Sequence, residues 1–313
     1  MNGRLSVSSS PHIRDNVTTK HIMLDGIIAL LPAVVAGIIL FGLRALLVLS
    51  VSVISAVGSE YLFNLITKKD QTVGDLSAIV TGLLLGLNLH ANSPLWQCAV
   101  GSVFAIVVVK CLFGGIGCNF ANPAATARVF LIVCFANTLD GGVVPNFLPS
   151  AELTTGATPL ESLKYGKALP SLLDMFFGLR SGAIGEVCTL ALLVGFVYLV
   201  LRKVIHFEIP LVFIGTVFAL SLIYGNSLEF ALANILSGGL VLGAVYMATD
   251  YATSPITRPG KMIYAFGCGL ITFLIRYYGS YPEGVSFAIL FMNILSPYIE
   301  GWTKNYALGG VRA

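Results

Sequence analysis

The sequence predicts an all-α polytopic membrane protein with about ten transmembrane helices, and three observations carry that reading. The 313 residues are 56% hydrophobic and only 11% charged, where a soluble domain carries roughly 25% charged residues. The mean hydropathy is +0.88. Apolar runs long enough to cross a bilayer recur along the whole chain. Most side chains therefore do not face water, and a soluble enzyme is excluded. The net charge of +3 needs no nucleic acid as partner, because the basic residues sort by membrane side.

The predicted spans are 22–41, 44–66, 73–90, 95–116, 121–138, 184–202, 208–225, 229–248, 260–277 and 284–299. They divide the chain into a cytoplasmic N-terminal segment 1–21, five helices over 22–138, an outer loop 139–183, five more helices over 184–299 and a cytoplasmic tail 300–313. The polar lead-in to the first span has no small-residue cleavage site, so an uncleaved helix is expected rather than a signal peptide. Alternating the spans puts Arg4, Arg14, Lys20, Lys68, Lys69, Lys110, Arg128, Arg202, Lys203, Arg258, Lys261, Lys304 and Arg312 on one side. Arg44, Lys164, Lys167, Arg180 and Arg276 fall on the other. Thirteen basic residues against five make the first side cytoplasmic, with both termini there and the 139–183 loop outside.

The two halves resemble each other. Leu84-Leu85-Gly86 leads to Ser93-Pro94, and Val241-Leu242-Gly243 leads to Ser254-Pro255. The intervals from Pro94 to Pro123 and from Pro255 to Pro282 are 29 and 27 residues. Five spans per half make the repeats inverted, an arrangement that puts functional sites between broken helices. Two polar interruptions stand out, Gly114 to Ala124 with Asn119 and Asn122, and Met247 to Pro255 with Thr249 and Asp250. Non-helical backbone at membrane depth needs a protein or water lining. Two roles stay open for these residues: helix caps, or ligands for a bound group or ion. Asp25, Glu60, Asp75, Glu186, Asp250 and Glu283 lie inside or at the edge of spans, where acids are costly and mark function. Asp75 and Glu186 also suit the start of a helix, so Asp250, Asp75 and Glu186 are candidates for an ion path. Of the six cysteines, Cys111 and Cys118 flank a glycine turn, but no CxxC or Cys/His cluster occurs, and buried apolar roles are expected for them.

The outer loop contains Glu152-Leu153-Thr154-Thr155-Gly156-Ala157-Thr158-Pro159-Leu160. As a bare string, Thr155-Gly156-Ala157-Thr158 also fits an ordinary glycine turn. It resembles the Ser/Thr-Gly-Ala-Thr site at which FMN is attached through its phosphate to the last threonine. That site marks a family containing the D subunit of the Rnf ferredoxin:NAD⁺ oxidoreductase complex and the B subunit of the sodium-pumping NADH:quinone reductase. Further landmarks agree in order: Ser8 to His12, Gly114 to Ala124, Gly178 to Glu186, Met247 to Asp250 and Pro282 to Ala288. The short N-terminal segment suits the Rnf member of the family better than the reductase member. One departure is Glu152, six residues before Thr158, where such sites often have Asp; the charge is kept.

The resemblance implies a fold similar to that of urea and ammonium channels and covalent FMN on Thr158, with Thr155, Gly156, Ala157 and Glu152 as attachment context. It also implies a second, non-covalent riboflavin, for which Asn119, Asn122 and Thr249 mark the expected region. The implied partners are the bilayer, a flavin transferase and other Rnf subunits (A, B, C, E and G). The implied location is a bacterial or archaeal plasma membrane, and the implied activity is electron transfer between ferredoxin and NAD⁺ coupled to Na⁺ or H⁺ export. No G-x-G-x-x-G or Walker loop is present, so NAD(H) is expected on another subunit. The rival reading is a channel or secondary transporter for a small solute, which has no use for a flavin acceptor.

Overall fold

A computed structural model describes residues 18–135, 142–145, 155–166, 169–279, 281 and 283–304. Helix α1, Thr19–Ile66, has 48 residues. A straight helix of that length would run about 72 Å, more than twice the roughly 30 Å of a hydrocarbon core. It is interrupted at Gly42, whose φ of 65° and ψ of −148° are not helical. The two resulting segments match the predicted spans 22–41 and 44–66.

A 3₁₀ turn, Val73–Asp75, leads into α2, Ser77–Leu87. The Asp75 carboxylate accepts from the Ser77 N–H at 2.8 Å and from its hydroxyl, which is the helix-start role expected of it. Helix α3, Leu95–Cys111, ends in a π-helical stretch, Phe104–Cys111. Helix α4, Pro123–Cys134, begins with proline and is capped by Asn122, whose side chain accepts from the Ala124 and Ala125 N–H groups. In the second half, α7 covers Thr189–Leu201, α8 Glu208–Gly225, α11 Arg258–Tyr278 and α12 Val285–Thr303.

By length and composition α1, α8 and α12 are long and apolar enough to cross a membrane. α2, α3, α4 and α7 are apolar but shorter. At 11 residues α2 is about 16 Å long, roughly half a hydrocarbon core. The predicted span 229–248 is two helices, α9 (Leu228–Leu236) and α10 (Leu240–Met247), bent by 64°. The hinge is Ser237-Gly238-Gly239, with Gly238 at φ 65°, a turn signal inside an apolar run.

The described residues between 139 and 183 include two short helices. These are α5, Pro159–Tyr165, and α6, Leu172–Phe177. Thr158 and Ser171 start these helices as N-caps, and Gly166 and Gly178 end them in left-handed conformation. Leu160 and Leu163 of α5 pack with Met175 of α6 and Ala233 of α9, so this segment docks on the second half. Cys111 is buried beside Ala56, Ala78 and Ile106, as expected. Cys118 is exposed, because the glycine turn before it carries it out of the core.

Candidate functional site

Thr158 ends an extended segment and begins α5. Its hydroxyl accepts from the Glu161 N–H at 3.2 Å, and the Glu161 carboxylate accepts from the Thr158 N–H at 3.1 Å. This capping box fixes the threonine. The segment before it pairs antiparallel with Gly142–Val143, in the register Gly142↔Gly156 and Val143↔Thr155. Val143 also bridges Gly182, and the Ser181 hydroxyl donates to the Ala157 carbonyl at 2.6 Å. Gly142 is required by close approach. A Cβ there would lie 2.9 Å from Thr158 Cγ2 and 3.0 Å from both the Gly182 nitrogen and Ser181 Cβ. Thr158 is half-buried and Ala157 exposed. Glu152 lies outside the described residues.

A cavity opens beside Thr158, with Arg180, Ser181, Arg128, Glu186, Glu283 and Tyr281 among its walls. Its floor is a buried ion cluster. Arg128, on α4, donates to Glu186 at 2.8 Å and also to Glu283 and to the Asn88 side-chain oxygen. The other Glu283 oxygen accepts from the Gly239 N–H at 2.5 Å, which ties the α9–α10 hinge to α4. Arg180 is buried and donates to the Glu186 and Val187 carbonyls. Burial pulls its pKa down to about 10, against the opposing pull of Glu186 and Glu283; it stays charged at neutral pH. Arg276 lies behind the hinge, donating to the Asn234 and Ser237 carbonyls at 2.8 and 3.1 Å.

A second cavity, of about 140 Å³, brings Asn119, Asn122, Thr249 and Asp250 together with Ser77 and Lys110. The two polar interruptions of the sequence thus meet in space. Asn122 caps α4 with its oxygen and donates its amide to the Met247 carbonyl at 3.2 Å, joining the halves. Asn119 donates to the Ala121 carbonyl and Thr249 to the Val245 carbonyl. The Asp250 carboxylate accepts from the Ala252 N–H and the Thr253 hydroxyl at 3.4 and 3.3 Å. Burial raises its pKa, and hydrogen bonds from Ala252, Thr253 and Asn119 oppose the rise. At the wall, Lys110 bonds both oxygens of buried Glu60 at 2.8 and 2.9 Å and the Ser77 hydroxyl at 2.6 Å. Asp75 supports this wall through Ser77 without lining the cavity itself.

The cavities lie back to back. Leu84 of α2 lines the Asp250 cavity and Asn88, the α2 C-cap, lines the Thr158 cavity, a single turn or about 6 Å apart; they are called the inner and outer cavities after the sidedness expected from the sequence. Asn88 also donates toward the Met247 sulfur at 3.4 Å.

The NQR2, RnfD, RnfE family model matches residues 6–309 of the chain. The chain belongs to this family. It is 47% identical, over 97% of its length and 95% of the relative's, to the D subunit of the Na⁺-translocating ferredoxin:NAD⁺ oxidoreductase complex of Acetobacterium woodii. Identity is 38%, over 97% and 96%, with the D subunit of the proton-translocating ferredoxin:NAD⁺ oxidoreductase complex of Clostridium ljungdahlii. It is 32%, over 98% of both chains, with the D subunit of the ion-translocating oxidoreductase complex of Methanosarcina acetivorans.

Sequence reasoning missed the outer cluster. The basic-residue comparison counts Arg128 as cytoplasmic, and Glu186 is expected at the start of a helix or on an ion path. In the structure α7 begins only at Thr189, and Glu186 lies in the turn before it, against Arg128. An arginine inside the apolar run of α4 was the available signal.

Proposed function

We propose that this protein is the D-type membrane subunit of an Rnf-like ion-translocating complex. It carries FMN on Thr158 and passes electrons within an assembly that oxidises ferredoxin, reduces NAD⁺ and exports Na⁺ or H⁺. The other subunits (A, B, C, E and G) hold the ferredoxin and NAD⁺ sites, and a flavin transferase supplies the FMN. The observation that carries this reading is the Thr158 hydroxyl, held by a capping box, a strand pair and the Ser181 latch at the mouth of a polar cavity.

The residues fit the group. Absence of a Cβ at Gly142 leaves the threonine methyl its place. Arg180 and Arg128 offer donors, and Ile132, Leu89 and Leu160 offer apolar walls. Bound there, FMN accepts an electron pair and releases electrons singly. The chain positions it, keeps it from being lost and surrounds it with fixed charge. A passive solute channel is less well served by this architecture, because the outer cavity ends on a buried ion cluster that pins α4 to the α9–α10 hinge.

The non-covalent riboflavin belongs to the inner cavity, where the amides of Asn119 and Asn122 and the hydroxyl of Thr249 supply hydrogen bonds. Ten spans in two inverted repeats, both termini cytoplasmic and the Thr158 segment outside, complete the reading. Burial of Lys110, Arg128, Arg180 and Arg276 removes them from the basic-residue comparison and leaves eleven against three, so the asymmetry remains.

The test is flavin fluorescence of the denatured chain on a gel. The wild-type band is expected to fluoresce and Thr158→Ala to be dark while still accumulating in the membrane. A Thr158→Ala band as bright as wild type overturns the assignment.

A further inference from the structure

Tyr281 lines the cavity beside Thr158. Phe287 covers the back of its ring, with centroids 5.3 Å apart and planes inclined by 20°. Its own exposure is 38%, so one face is supported and the side chain remains accessible. Among the described residues lining this cavity it is the one phenyl-type ring. A tyrosine near a membrane surface is often an interfacial anchor. An anchor does not need a stacked aromatic behind it or a ligand cavity in front of it.

An isoalloxazine ring is flat, with two broad π-faces and a polar edge. It is best held by an aromatic face at offset-stacking distance and by donors at its edge. The cavity supplies that combination: the Tyr281 ring, the Arg180 and Arg128 guanidinium groups, and the Thr158 hydroxyl in the same lining.

We propose that Tyr281, backed by Phe287, is the stacking wall that positions the isoalloxazine ring of the flavin carried on Thr158. This rests on Thr158 being the FMN acceptor. Tyr281 is a positioning residue. Its role is to fix the ring over the cavity once the phosphoester has tethered it.

The test uses the full-length chain purified in mild detergent, with gel fluorescence of each denatured variant reporting attachment separately. A dark wild-type gel band refutes FMN attachment and removes the basis for this inference. The native fluorescence of Thr158→Ala gives the background from any dissociable flavin. After subtraction, native wild-type emission is expected to be severalfold weaker than after unfolding, because an electron-rich ring in contact quenches flavin, and its anisotropy is expected to be high. Tyr281→Leu is expected to raise native emission severalfold and lower the anisotropy with equal gel fluorescence. Tyr281→Phe, which keeps the flat face, is expected to retain high anisotropy while losing part of the quenching. Because Tyr281 is on the surface, these variants are expected to fold. Should Tyr281→Leu fail to accumulate, Phe287→Leu tests the same wall from behind and is expected to lower the anisotropy. Native emission and anisotropy in Tyr281→Leu equal to wild type, with FMN attached, overturn the proposal and leave Tyr281 as an interfacial anchor.

Discussion

The outer and inner cavities lie a helical turn apart but are built on opposite principles. The outer one rests on formal charge: Arg128 is shared by Glu186 and Glu283, with Arg180 and Arg276 held by carbonyls around it. The inner one is walled mostly by apolar side chains, and its polar groups are mainly neutral amides and hydroxyls at helix ends. Asp250 is an acid there without an ion-pair partner among the described residues, while Lys110 is neutralised by Glu60. The contrast separates two ways of keeping broken helices together. Charge pairing across the halves fastens the outer end, and capping fastens the inner end.

The largest expected effect tests the charged end. Arg128→Met leaves Glu186 and Glu283 buried without their shared cation, and breaking a buried pair from one side costs about 3–5 kcal/mol. Thermal unfolding of the purified chain in detergent is expected to show a large loss. Adding Glu186→Gln and Glu283→Gln to Arg128→Met is expected to recover most of it, since neutral amides have no ionic partner to lose. A triple variant no more stable than Arg128→Met would mean that Arg128 matters for packing and not for charge.

A smaller effect tests the capped end. Asn122→Ala removes the cap of α4 and the bond to Met247, and losing such a cap costs about 1 kcal/mol. Asn122→Asp keeps a good cap and removes the amide donor to the Met247 carbonyl. The Asp variant is expected to be clearly more stable than the Ala variant in the same unfolding measurement. If both are equally destabilised, the tie to Met247 outweighs the cap.

The contrast also explains what the sequence made legible. The inner residues carry local signals, namely an Asn before Pro, a glycine run and an acid among hydroxyls before Pro255, and all are readable within a few positions. The Thr155–Thr158 string is likewise local, although helices α5 and α6 start from Thr158 and Ser171 caps that look like loop residues. The outer cluster is long-range: Arg128 meets Glu186 58 positions away and Glu283 155 positions away. No periodicity or spacing encodes such a meeting. The hinge at Ser237–Gly239 hid for another reason, since a short turn within an apolar run still passes as one continuous span.

Asp250→Asn tests whether the inner cavity needs its one unpaired acid for more than capping, and its expected effect on stability is the smallest. Asp250 accepts from the Ala252 N–H and the Thr253 hydroxyl and closes the turn that leads to Pro255. Asn caps nearly as well as Asp, so the fold and the FMN attachment proposed for Thr158 are expected to survive. Burial raises the pKa of the carboxyl, so its ionised form is the one the surroundings disfavour. It therefore gains most from an arriving cation or proton, which is the property an ion path needs. In vesicles containing the assembled complex, Asp250→Asn is expected to keep gel-detectable FMN while losing most ion transport or electron transfer. The Asn119→Asp variant sharpens the point. It puts a second carboxylate beside Asp250, and mutual repulsion disfavours the ionised form further, so the pH at which transport is half-maximal is expected to move upward. Wild-type transport in Asp250→Asn reduces the residue to a cap and makes the inner cavity a purely neutral site.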